Sequence, residues 1–111
     1  TIYSARTKRQ YDLWWNAHAA LNQSAAHYAS QRAEDSDYSD LTPLIMMGDS
    51  ITESFLGTGM GEPRQRTEGI PTLLSEVAKS EKFHPLILAI SGDQTQHLLY
   101  RLQHGELVSS I

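Results

Sequence analysis

Two unbroken apolar runs, Leu44–Met47 and Leu86–Ile90, end at glycine–aspartate turns, in "LIMMGDSITESF" and in "ILAISGDQTQHLLYRL". Runs of this length with turn residues behind them read as short strands, and their continuous apolar character fits strands covered on both faces of a parallel sheet. A parallel pair needs a crossover, and 70–80 supplies one: Leu73, Leu74 and Val77 share a helical face, with Pro71 in the first turn. Helices are also expected over about 8–31, from near Ser50, and over Thr95–His104, where Leu98, Leu99 and Leu102 form the apolar side. The element order is α-β-α-α-β-α, an α/β chain with an incomplete parallel sheet preceded by a long helix.

The long first helix is an alanine-rich stretch, "TKRQYDLWWNAHAALNQSAAHYASQR", without Gly or Pro, in which Leu13, Ala17, Ala20, Leu21 and Ala25 repeat at helical spacing. Trp14 and Trp15, with Tyr11, are expected in a core or an interface. The acidic "EDSDYSD" that follows reads as a linker, dividing the chain into 1–40, a helix and its linker, and 41–111, an incomplete α/β domain. Asp35 and Asp37 imitate the start of a calcium loop. The required glycine is replaced by Asp40 and the closing Glu by Met46, so no calcium site is expected. Gly57, Gly59 and Gly61 lack the spacing and the preceding strand of a dinucleotide fingerprint and read as a loop at a crevice rim. No cofactor and no metal are expected.

With 111 residues, 40% hydrophobic and 20% charged, the chain is sized for one modest core. Nine Lys/Arg against thirteen Asp/Glu give a net charge of −4, which does not favour nucleic acid as a partner. The absence of cysteine excludes disulfides, thiolate metal sites and a Cys nucleophile, and leaves the compartment open. No apolar run approaches the ~20 residues of a membrane span, and no signal-peptide pattern opens the chain. Two strands leave sheet edges and faces unpaired. The expectation is therefore that further sequence beyond Ile111, or another protein chain, covers the sheet, and the start at Thr1 suggests processing or a fragment.

Ser50 follows the first strand at the end where open α/β sheets place their ligand crevice. A hydroxyl there, beside the N–H groups of a helix start, has what an acyl-transfer nucleophile and its oxyanion need. Ser50-Ile-Thr-Glu53 equally fits a capping box, in which Ser50 binds the third amide and Glu53 reaches back. Gly92, after the second strand, can bring its N–H close to a ligand or be a plain turn glycine, and Asp93 or Thr95 can cap the next helix.

"MGDSITES" resembles the first block of the GDSL/SGNH hydrolases, with Ile in place of the usual Leu after the serine. "AISGDQTQHLLYRLQHGEL" resembles their second block, most of all in the branch containing the catalytic subunits of platelet-activating-factor acetylhydrolase. The resemblance covers about 44–107. It implies a flavodoxin-like three-layer α/β/α sandwich and a serine esterase acting on a small-molecule ester. Ser50 would be the catalytic nucleophile, and the N–H groups of Ser50 and Gly92 would be two oxyanion donors. The family's Asn block and Asp-x-x-His block are missing from this sequence, and Asn16 and Asn22 do not match them. His18, His27, His84, His97 and His104 are read as surface or helix-end residues rather than as the base. Without a base a serine hydroxyl is a poor nucleophile, so this chain alone is expected to be inactive. The alternative is a non-catalytic SGNH-like subunit that docks in a larger assembly. Arg64 and Arg66 are read as a solvated loop, with an anionic substrate or partner as the other reading.

Overall fold

A computed structural model describes residues 8–107; the ends of the two expected segments, 1–7 and 108–111, lie outside the described residues. Helix α1 spans Lys8–Glu34, and a single turn, α2, covers Ser36–Ser39. Strand β1 is Thr42–Gly48, followed by the turn α3 (Ser50–Glu53), which tightens into a 3-10 turn over Ser54–Leu56. A two-residue hairpin, β2 (Thr58–Gly59) with β3 (Glu62–Pro63), leads to α4 (Ile70–Glu81), β4 (Phe83–Ala89) and α5 (Thr95–Arg101). A wide turn, Leu102–Glu106, closes the described chain.

β1 and β4 pair in parallel, from Thr42 opposite Phe83 to Gly48 opposite Ala89. Thr42 N–H donates to Lys82 C=O and Ile90 N–H to Gly48 C=O. In a parallel ladder these bonds put alternate peptide groups toward the neighbour, so Pro43 and Pro85 occupy positions whose missing N–H would have pointed away from the pair. This small parallel sheet with its crossover helix makes the chain α/β.

α1 covers one face of the sheet. Its stripe of Trp14, Ala17, Leu21, Ala25 and Tyr28 packs with Leu86, Leu88 and Ile90 as the core. The spacing is that of one helical face, with His18 occupying a further place on it. The two strands differ from the expectation of equal cover: β4 is buried along most of its length, whereas β1 is half-buried and exposes Met47. The expected faces of the later helices also shift. In α4 it is Ala78 that is buried, while Leu73 and Val77 stand in solvent. In α5 the buried residues are His97 and Arg101, and Leu99 is exposed. Both helices turn small or polar residues inward because those positions serve close packing and ion pairing, which apolar periodicity does not report.

Candidate functional site

The carboxyl ends of β1 and β4 are neighbours, and the turns after them flank a crevice of about 320 Å³. Met47, Gly48, Asp49 and Thr52 line it from the first turn, and Asp93, Gln94, Thr95 and Leu98 from the second. Ser50 and Gly92 are each one residue removed from the lining, beside Asp49 and Asp93 respectively. Both turns the sequence singled out therefore border one crevice. Ile51 N–H and Glu53 N–H are taken by Asp49, and Asp93 N–H by Ile90 C=O. The Ser50 and Gly92 N–H groups have no protein acceptor among the described residues.

The capping box at Ser50 is not formed. Asp49 is the cap: its Oδ1 accepts from Ile51 N–H at 3.3 Å, and its carbonyl accepts from Glu53 N–H at 2.8 Å. Glu53 instead turns into the molecule and is 1% exposed. Its carboxylate accepts from the Thr58 hydroxyl at 2.6 Å, from Met60 and Gly61 N–H at 2.9 and 2.8 Å, and from the Ser91 hydroxyl at 2.8 Å and its N–H. Burial alone would raise this carboxyl, but the donors from Thr58, Gly61 and Ser91 outweigh it and hold Glu53 below the usual carboxylate range. Glu53 thus fastens α3, the hairpin and the turn after β4 together. Gly61 allows the hairpin to reach it: its φ is +83°, and a Cβ there would lie 3.0 Å from Ala17 Cβ. The glycine-rich loop is a buttress of the site rather than a free rim.

Beneath the second turn lies a buried ionic chain. Arg101, 0% exposed, donates from Nε to Asp93 Oδ2 at 2.8 Å, from Nη1 to Glu106 Oε1 at 2.6 Å, and from Nη2 to Gly48 C=O at 3.3 Å. Trp14 Nε1 donates to Asp93 Oδ1 at 2.9 Å, and His18 Nδ1 meets Glu106 Oε2 at 2.6 Å. Burial pushes Glu106 up, and Arg101 and His18 only partly counter it. Asp93 is therefore a tie to the core and not the helix cap expected of it. Gln94 is the cap of α5, in a reciprocal box with His97, whose Nδ1 accepts from Gln94 N–H at 2.9 Å.

The histidines correct the expectation of surface positions. His18, His84 and His97 are buried. His84 stacks on Tyr28 with ring centroids 4.0 Å apart, receives Arg32 Nη1 at 3.3 Å, and is held below its ordinary value by burial and by Arg32. His104 is exposed, stacks on Tyr100 at 3.8 Å and bonds to its carbonyl, while His27 is exposed. None of the five is hydrogen-bonded to Ser50, so among the described residues no histidine stands as a base at the hydroxyl. Arg64 and Arg66 are exposed, with Arg64 3.8 Å from Glu62. Among the described residues no cluster of His, Asp and Glu is placed to hold a metal ion, and no helix is long and apolar enough to cross a membrane.

Sequence reasoning missed Arg101, Glu106 and the inward turn of Glu53. A signal existed for His18, which occupies a place in the apolar stripe of α1. Comparison of the chain with protein-family models, curated proteins and solved structures finds no match.

Proposed function

We propose that this chain is the nucleophile-bearing part of an SGNH-type serine ester hydrolase, with the parallel pair belonging to a flavodoxin-like α/β/α sandwich. The observation that carries the reading is the pairing of the two turns: Ser50 and Gly92 flank one crevice at the carboxyl ends of adjacent parallel strands, with both N–H groups unengaged among the described residues. In this reading Ser50 Oγ gives its proton to a base and attacks the carbonyl carbon of a small ester. Collapse of the tetrahedral intermediate expels the alcohol, which takes up that proton, and water then releases the acid from the acylated Ser50. The Ser50 and Gly92 N–H groups hold the oxyanion. Because α3 is a single turn, the stabilisation rests on these two donors rather than on a helix dipole. The base and the remaining donor, an Asp–His pair and an Asn by resemblance, come from outside this sequence, on a continuing or a joining chain.

A second reading is a non-catalytic SGNH-like docking subunit. The lack of a histidine at Ser50 and the half-exposed β1 favour it, since the outer row of β1, with Ile45 and Met47, offers peptide groups to a further strand. Labelling with a fluorophosphonate and hydrolysis of a short-chain ester separate the two. Labelling at Ser50 that disappears in Ser50→Ala supports the hydrolase, with ester turnover by the chain alone no faster than that of Ser50→Ala. Failure to label, alone and with any chain that completes the sheet, leaves the docking subunit.

A further inference from the structure

The opposite edge of the sheet carries a feature that the esterase reading does not use. With Lys82 C=O and Ile90 N–H bonded to β1, the alternation of the parallel ladder turns the peptide groups of Phe83, Pro85, Ile87 and Ala89 away from it. Among the described residues no protein group hydrogen-bonds to this outer row. Ile87 and Ala89 are nonetheless 5% and 1% exposed, and buried peptide groups as a rule have partners. One step further on, Ser91 N–H is satisfied by Glu53, so a carboxylate ends the row where a neighbouring strand would otherwise continue.

The row faces a groove of about 550 Å³ between two helices. Ser24 of α1 lines it on one side, and Leu74 and Ala78 of α4 on the other. A second cavity of about 210 Å³ shares Ser24 and Leu56 with the first and touches Ala89, so open space follows β4 along its outer row. The lining is largely apolar, and its one permanently charged side chain is Lys79. Lys79 makes no ion pair among the described residues.

We propose that this groove docks an extended peptide segment of a partner protein, which adds a strand beside β4. Its N–H groups would meet the Pro85 and Ile87 carbonyls, and one of its carbonyls would meet Ile87 N–H. Its side chains toward α1 and α4 are apolar, and it carries a carboxylate for Lys79. An alkyl carboxylate would match the apolar walls and the lysine but would leave the outer row unpaired, which is why the unpaired backbone selects a peptide.

The test uses a fluorescein-labelled peptide of about seven residues, alternating valine and alanine and ending in glutamate, read by fluorescence polarisation. Saturable binding is expected, with about tenfold weaker binding of a matched peptide N-methylated at alternate amides, and a similar loss in Lys79→Glu. Ala78→Trp, which fills the groove, should abolish binding. Lys79→Glu, on an exposed position, keeps the test valid if the tryptophan variant does not fold. Equal binding of the N-methylated peptide, or displacement of the parent peptide by laurate at comparable concentration, would overturn the proposal in favour of an alkyl-chain site. No saturable binding to the folded protein, or a dimer in solution that Ala78→Trp dissociates, would overturn it as well.

Discussion

Arg101 Nη1 lies 2.6 Å from Glu106 Oε1, and neither side chain is exposed to solvent. The same guanidinium holds Asp93 at 2.8 Å, so one cation is shared by two buried carboxylates and sets the turn that borders the crevice. Arg101→Met should therefore lose about 3–5 kcal/mol in urea denaturation, because both carboxylates stay behind without their partner. The double variant Arg101→Met/Glu106→Gln should recover part of that loss.

Glu53 offers a second measurable dependence. Glu53→Gln replaces an oxygen that accepts hydrogen bonds with an amide that donates them, against donors from Thr58, Met60, Gly61 and Ser91. A loss of about 2 kcal/mol is expected at neutral pH. The native carboxyl titrates below its unfolded value of about 4.3, so its contribution is intact above that pH and fades as the pH falls through the folded value. The stability difference between the native protein and Glu53→Gln should shrink over that acid range.

His84 acts at a higher pH with the same sign. Burial first, and Arg32 second, hold its ring below the ordinary histidine value in the folded chain. The unfolded chain takes up a proton below about pH 6.5 that the folded chain refuses, so stability declines as pH falls from there toward the depressed folded value. His84→Phe keeps a ring against Tyr28 and removes the titration. Its stability should be flatter between about pH 6.5 and 5, as read by thermal melts across that range.

Ser50 and Asp49 should separate cleanly. Ser50→Ala is expected to change stability by less than about 0.5 kcal/mol, since the serine hydroxyl caps nothing. Asp49→Ala should lose about 1 kcal/mol with the cap. The reverse order in chemical denaturation would restore the capping role to Ser50.

Gly61→Ala introduces a Cβ 3.0 Å from Ala17 Cβ at a φ of +83°. A loss of about 1–3 kcal/mol is expected, together with weaker seating of the hairpin on Glu53. Calorimetry of the variant checks the first, and the chemical shift of the Gly61 amide region the second.

Apolar pattern alone revealed both strands, the long helix and the crossover, because Leu44–Met47, Leu86–Ile90 and the stripe from Leu13 to Ala25 each repeat within a few residues. In that stripe, however, Leu13 is only half-buried, Ala20 is exposed and Trp14 takes the inward place. The two turns at Ser50 and Gly92 were visible for the same reason, each being adjacent to its strand. What escaped were the polar contacts that tie together segments far apart in sequence. Arg101 and Asp93 meet Gly48 and Trp14 only after the sheet brings β1, β4 and α1 together. Glu53 looked like a capping partner because its spacing from Ser50 is right, yet the donors from Ser91 and the hairpin win. Leu73, Val77 and Leu99 misled in the opposite sense, since their helical spacing does not tell which side the neighbouring element lies on.

The placing of Arg101 also bears on how the molecule opens. One side chain is bonded to the loop after β4, to the last residue of β1 and to the final turn, and through Asp93 and Glu106 to Trp14 and His18 of α1. Loosening any one of these segments exposes an ion bonded to the others, so they should open as one cooperative unit. Amide exchange in α1 near Trp14, in β1 near Gly48 and in α5 should report a single opening free energy, while the exposed outer face of α4 exchanges through smaller local events.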